Sequence, residues 1–355
     1  MKTYTFIAML ICLIALPTFA HGETVVTNLE KEWKINFSHA VDVTSVHENS
    51  VYIVDKYDEK IAVDYVVNGK ELRVIPQESY INYWSYTLVV TDEVHSAKGR
   101  PLTKGQSVAF TTQSAIEDMT KITSVSEADY QNQALVTLSY DDGYSSWYTK
   151  SLPLHSYYNI PATYNIIGEK IYEGDPHYMT SGEIWVASDL GIEIASHTFT
   201  HPFLTSVPAE QIHEELVQTN EWLIDLVGKV DTLAIPYSAY SLEIRDIAKE
   251  YYKGIRVFDS ETNRPDNYDP YWLKSFAIVN TMEFDTIKSW IDRAVEERSW
   301  VIIMLHGISE DRLEEYETTP EILQDILQYI NSYSRDELLP VTTVEGLTLT
   351  EQWLQ

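Results

Sequence analysis

The sequence predicts a two-part protein, an all-β sandwich followed by a distorted barrel of alternating strands and helices. Three observations carry this expectation. The chain has 355 residues, which at roughly 100 to 200 residues per domain means about two, each large enough to bury a core without disulfides. Up to residue 113, apolar and polar residues alternate in short runs. Beyond residue 130 the strands are continuously apolar and separated by amphipathic stretches, the pattern of a parallel sheet covered by helices. A hydrophobic share of 44%, a charged share of 22%, 13 Gly and 13 Pro match globular composition and exclude collagenous or low-complexity chains.

Residues 1–20 read as an export signal: Lys2, an apolar run over 6–16, then Pro17 and the small-residue pattern Thr18-Phe19-Ala20, with cleavage expected after Ala20. The alternative is a membrane anchor, but the run is shorter than the roughly 20 apolar residues a spanning helix needs. The one cysteine, Cys12, lies in this segment behind Ile11, where a lipoprotein signal requires a small residue. The exported chain is therefore expected to hold no disulfide, thiolate site or lipid anchor. It carries 24 basic and 54 acidic residues, a net of −30, which argues against nucleic acid as a partner because no basic face releases counterions. The charge is uneven, −4 over residues 21–113 and −26 over 114–355. A solvated surface explains the acidic half, with attraction to cationic material as the alternative.

The short runs fall at 33–37, 51–54, 62–67, 71–75, 86–90 and 108–111, and period two over short runs means strands. Asn68-Gly69 sits between two of them and predicts a tight hairpin turn. Residues 21–113 are thus expected to form a β-sandwich. The opening WKINFSHAVD and the closing VAFTTQ resemble bacterial immunoglobulin-like modules. Residues 114–130 are polar and mixed, and are read as a linker. Strands are then expected at 134–138, 162–167, 192–195, 232–235, 254–258 and 301–305, with helices over 209–227, 242–252, 284–297 and 320–333. Residues 131–355 accordingly predict a (β/α) barrel or a distorted relative.

Polar residues collect at the C-terminal end of each apolar strand: Asp141 and Asp142, His197 and His201, Pro236 and Tyr237, and His306. In parallel α/β barrels that rim is where active sites are built. Two imidazoles four residues apart on a helical turn meet one ion, and a carboxylate from another strand completes a three-ligand site with an open position for water. Such a site is hydrolytic rather than structural. The alternative is a set of satisfied polar residues on strand ends.

The motifs SYDDG (139–143), SHTFTH (196–201), IPY (235–237) and LHG (305–307) resemble the polysaccharide deacetylases, with the NodB-homology fold, also called carbohydrate esterase family 4. The likeness extends over roughly residues 131–350. It implies Asp142, His197 and His201 as metal ligands, Asp141 as general base and His306 as general acid. Tyr237 would offer a backbone N–H to the oxyanion and a wall to the acetyl pocket, with Pro236 beside it and Leu305 opposite. The metal implied is one divalent transition ion, zinc foremost, with cobalt, nickel or manganese as alternatives. The implied substrate is an acetylated amino-sugar polymer or oligomer, and a secreted, periplasmic or cell-surface monomer is expected.

One departure stands out. Where many members of that family carry Arg in Arg-x-Pro-Tyr, this chain has Ala234-Ile235-Pro236-Tyr237. Either Asp141 is left more basic, or Arg256 or Arg264 does the work. Tyr144, Trp147, Tyr148, Tyr240 and Trp272 are candidates for stacking on sugar rings, with core or edge packing as the alternative. An O-acetyl polysaccharide esterase, and a catalytically silent glycan-binding surface protein, remain as other readings.

Overall fold

The computed structural model describes residues 24–55, 58–80, 85–112, 119–310 and 314–354. The expected export signal, residues 1–20, lies outside them. The chain divides into two compact units, Met1–Asp118 and Met119–Gln355.

The first unit is a sandwich of two sheets. Strands β1 (Thr24–Val26), β2 (Trp33–Asn36), β3 (Val51–Asp55), β4 (Lys60–Ile61), β5 (Val63–Asn68), β6 (Glu71–Pro76), β7 (Ser85–Val90) and β8 (Gln106–Thr112) form a five-stranded sheet, β1-β8-β7-β3-β4, and a three-stranded one, β2-β6-β5. Alternation buries Trp33 and Ile35 of β2, Val51 and Ile53 of β3, and Leu72 and Val74 of β6 in one core, each side chain contributing about 1.5–3 kcal/mol. Every strand expected from the alternation is present; β1 and β4, three and two residues long, are too short to show a period. The β5–β6 hairpin pairs Asn68 with Glu71, so its two-residue loop is Gly69-Lys70 rather than Asn68-Gly69. Gly69 alone takes the positive φ, at 60°, as a turn with glycine at its first central position requires.

The second unit is a closed barrel. Seven parallel strands, β9 (Ala134–Asp142), β10 (Thr163–Ile166), β11 (Glu193–Ser196), β12 (Thr232–Ala234), β13 (Gly254–Phe258), β14 (Leu273–Ala277) and β15 (Trp300–Leu305), run in sequence order, and β15 returns to β9. A further strand, β16 (Leu338–Pro340), pairs with the N-terminal end of β9, while β10 pairs with its C-terminal end. One edge of β9 thus serves two partners, which is the distortion. The helices are α1 (Leu152–Tyr158), α2 (Gly168–Tyr172), α3 (Ser181–Asp189), α4 (Ala209–Val227), α5 (Leu242–Ala248), α6 (Phe284–Glu297), α7 (Pro320–Ser332) and α8 (Thr343–Thr350). Strand β14 escaped the sequence reading because Lys274 and Ser275 interrupt its apolar run, and β16 is only three residues long.

Helix α8 plugs the N-terminal end of the barrel. Its Leu347 and Leu349 join Leu135, Leu273, Trp300 and Ile302 in one cluster. Gly346 makes the approach possible, since a Cβ there would lie 2.3 Å from the Trp300 ring. The buried carboxylate of Glu193 accepts from Thr163 and Thr232 hydroxyls and from the Val344 N–H, fastening the plug to the strands. With that end sealed, the barrel opens only beyond the strand C-termini. Residues 119–130, read as linker, are tied to this unit: Thr120 N–H donates to Ser156, Ile122 N–H to the Leu190 carbonyl, and Val125 N–H to Glu345.

Candidate active site

Strand alternation selects what faces the opening. On β15, Trp300 and Ile302 point into the apolar lower layer, and Met304 and then His306 follow on the same side into a cavity of about 1030 Å³. Leu305, between them, is fully buried on the other side. Asp141 and Asp142 end β9, and the chain leaves through two positive-φ residues, Asp142 at 94° and Gly143 at 98°. His197 follows β11. The segment to His201 is not the expected helical turn: Thr198 and His201 have φ of 65° and 58°, and Glu215 of α4 holds the loop by accepting from the Phe199 and Thr200 N–H groups and the Thr200 hydroxyl. That left-handed loop, rather than an i, i+4 helical spacing, brings the two imidazoles together.

Asp142, His197 and His201 each offer a ligand atom within 4.8 Å of the others. Asp142 Oδ1 lies 3.5 Å from Nε2 of both imidazoles and is buried with no hydrogen-bond partner among the described residues. Burial, aided by the neighbouring Asp141 charge, pushes the Asp142 carboxyl up to about 7. Desolvation pushes His197 down to about 4 and His201 down to about 3, so both rings are neutral and offer lone pairs. An orphaned carboxylate oxygen beside two neutral imidazoles is a donor set that fits a divalent transition ion; a cation there meets the unmet electrostatic need of Asp142.

Asp141 sits differently. Its Oδ1 accepts from Asn165 Nδ2 at 2.9 Å and from Arg256 Nη2, leaving Oδ2 facing His197 Nε2 at 3.8 Å. The side chains of Arg256 and Asp141 are 3% and 4% exposed, so this is a buried ion pair. Burial works to raise the Asp141 carboxyl, but the charge of the Arg256 guanidinium and its hydrogen bond prevail and hold it below the usual carboxylate range. The expectation of a more basic Asp141 is therefore corrected. Arg256, arriving from β13, stands where no arginine of the β12 segment does. Arg264 does not: it pairs with Glu261 and Asp266.

His306 lines the cavity with its ring 4.9 Å from that of Tyr316. Its Nδ1 is buried without a hydrogen-bond partner among the described residues, and burial lowers its pKa. Its main chain is held instead, by Trp147 Nε1 donating to the His306 carbonyl at 2.7 Å. Tyr237, with φ of 55°, is half-exposed beside His201, and its phenol lies 3.0 Å from His201 Nδ1.

The substrate-facing candidates divide. Tyr144 lines the cavity, stacked on Tyr178 at 5.3 Å. Trp147 is fully buried against Tyr140 and Tyr164, because its large apolar ring gains more from the core than the rim and the His306 carbonyl satisfies its N–H. Trp272 donates to Asp259 and packs edge-on against Tyr240, away from the cavity wall. Pro236 and Leu305 are buried beneath the wall, which Ile235 and Met304 form instead; Tyr148 does not reach it. Sequence reasoning missed Asn165 and Glu215, whose partners are 24 and 15 to 16 residues away.

Comparison with known proteins returns the two families that the sequence motifs resemble. Residues 128–254 match the polysaccharide deacetylase family model, and residues 17–112 match that of the bacterial Ig-like domain. The chain is 27% identical over 181 residues, 50% of its length and 62% of the relative's, to the peptidoglycan-N-acetylmuramic acid deacetylase PdaA of Bacillus subtilis (strain 168). It is 32% identical over 98 residues, 28% of its length and 15% of the relative's, to a bifunctional xylanase/deacetylase of Pseudobutyrivibrio xylanivorans. Identity is 27% over 175 residues, 44% and 40% of the two lengths, to chitin deacetylase 3 of Cryptococcus neoformans var. neoformans serotype D (strain B-3501A). The aligned parts thus span between 15% and 62% of the length of these relatives.

Proposed function

We propose that this chain, which carries a polysaccharide deacetylase domain behind a bacterial Ig-like domain, removes N-acetyl groups from an amino-sugar polymer or oligomer outside the cytoplasm. The observation that carries the reading is the convergence of Asp142, His197 and His201 on one point at the mouth of the sealed barrel, with Asp141 and His306 beside it. Asp142, His197 and His201 would hold one divalent transition ion, for which zinc suits the imidazole and carboxylate donors. When bound, such an ion supplies the positive charge that polarises an acyl carbonyl and acidifies water.

The remaining work falls to the chain's own groups. Asp141, fixed through Oδ1, takes a proton on Oδ2 from the attacking water as the new C–O bond forms. The Tyr237 N–H donates to the oxygen that becomes negative. His306 delivers a proton to the amide nitrogen as the C–N bond breaks, which an amine leaving group requires. The products are acetate and a free amino sugar. For an ester the leaving alkoxide needs that proton less, so the same groups also serve O-acetyl substrates.

No helix among the described residues is long and apolar enough to cross a membrane, and the Ig-like module together with the export-like first twenty residues supports a secreted or surface location. The test is acetate release from chitin oligomers, peptidoglycan, poly-N-acetylglucosamine and acetylxylan, before and after chelation. Metal-dependent release from an N-acetylated substrate supports the reading; faster release from acetylxylan favours the esterase. Silence on all four by a protein with stoichiometric metal overturns it.

A further inference from the structure

The two imidazoles of the cluster are anchored in different ways. His197 Nδ1 lies 2.7 Å from the Ala234 carbonyl oxygen. A carbonyl only accepts, so Nδ1 carries the ring proton and Nε2 presents a lone pair. His201 Nε2 is 3.1 Å from that lone pair, as two nitrogens aimed at one ion would be. The group opposite its Nδ1, at 3.0 Å, is the Tyr237 hydroxyl, which donates to a bare Nδ1 and accepts from a protonated one. To ligate an ion through Nε2, His201 carries its proton on Nδ1, and the Tyr237 oxygen accepts the hydrogen bond from that proton. A hydroxyl serves both tautomers; a carbonyl, a carboxylate or an ammonium serves only one.

Tyr237 is 57% exposed, and two ring contacts hold its phenol. The Tyr237 ring meets His201 edge-on, with centroids 4.6 Å apart at 61°, and it stacks on Phe203 at 3.8 Å and 9°. Its backbone occupies the left-handed region, a strain that a non-glycine residue sustains only where the surrounding structure demands it. His197 needs no such device, because its anchor is main chain.

We propose that Tyr237 is a positioning residue for the metal: its hydroxyl aims the His201 imidazole into the cluster in either tautomer, and Phe203 clamps the phenol in place. This role is additional to the backbone N–H assigned above, and it rests on the metal-site reading.

Tyr237→Phe in the full chain keeps the ring and its stacking and removes only the hydroxyl. Zinc and cobalt dissociation constants are measured by chelator competition, with the absorption spectrum of the cobalt form. Tautomers are read from long-range ¹⁵N–¹H spectra of the imidazoles. The expected result is a Kd raised about tenfold or more, an altered cobalt spectrum, and mixed tautomers at His201 while His197 is unchanged. A Kd within twofold of the parent, with the same spectrum and tautomers, overturns the proposal and leaves the metal site standing. A parent that binds neither ion overturns the metal reading itself. Should the Phe variant not fold, Phe203→Ala, which frees the phenol, is expected to raise Kd severalfold, and an unchanged Kd there overturns the proposal equally.

Discussion

Replacing Arg256 with Met removes the guanidinium that holds Asp141 while keeping a chain of similar length in the barrel. The magnitude follows from where the pair lies. At 3% and 4% exposure the two side chains are out of the regime of surface ion pairs, which contribute about 0–1 kcal/mol. They are in the regime where removing one partner strands a buried charge at a cost of about 3–5 kcal/mol. Asn165 alone then holds Oδ1 of the carboxylate. For a unit of this size such a loss lowers the midpoint of thermal unfolding by roughly 6–20 °C. The carboxylate also loses its orientation, and kcat/KM is expected to fall at least a hundredfold, about 2.7 kcal/mol of barrier. Asp141→Asn strands the arginine instead. The double variant leaves neither charge, so it is expected to recover about 2 kcal/mol or more of the summed losses in stability without recovering activity. Urea unfolding followed by tryptophan fluorescence, acetate release and elemental analysis are run on all four proteins. If Arg256→Met lost less than about 1 kcal/mol, or kept kcat/KM within threefold at full metal content, the argument that β13 supplies the arginine missing from the β12 segment would fail.

Other outcomes follow from the same structure. His201→Ala or Asp142→Asn deletes one of the three proposed ligands and is expected to leave the protein without stoichiometric metal after mild chelation, measured by elemental analysis. His155 is buried between the Tyr140 hydroxyl and the Ile160 carbonyl, and burial pushes its pKa down to about 4 from 6.5. The unfolded chain therefore binds the extra proton first, and stability falls by about 3 kcal/mol as pH drops from about 6.5 to about 4; His155→Gln should flatten that part of a plot of Tm against pH, and an unchanged slope counts against the assignment. Gly346→Ala drives a methyl into the Trp300 ring and is expected to destabilise the barrel by about 1–3 kcal/mol, checked by denaturant unfolding. Residues 119–355, expressed without the Ig-like unit, should fold, load metal and keep kcat on a small acetylated substrate; a metal-loaded fragment below a tenth of the parent kcat would show that the first unit helps build the site.

Local pattern determined the kinds of element and the place of the chemistry. Alternation in residues 21–113 can be buried only as a two-layer sheet, and continuous apolar runs ending in Asp141-Asp142, His197, Tyr237 and His306 put polar groups where a parallel barrel opens. Those motifs also carried the family resemblance, because ligand and acid-base chemistry constrains residues next to one another in sequence. Pairings across the barrel were beyond reach. Asp141 and Arg256 are 115 residues apart, and nothing near Arg256 separates it from Arg264, which binds surface carboxylates instead. Trp147 looked like Tyr144 in sequence, since both follow the first motif; only the closed barrel shows that one ring fills the core and holds the His306 carbonyl while the other faces the cavity. The loop from His197 to His201 also needed its tertiary partner, Glu215, to take left-handed turns that sequence spacing read as helix. Short-range periodicity reports which side of an element is buried, whereas contacts between elements depend on how strand closure and the α8 plug bring distant side chains together.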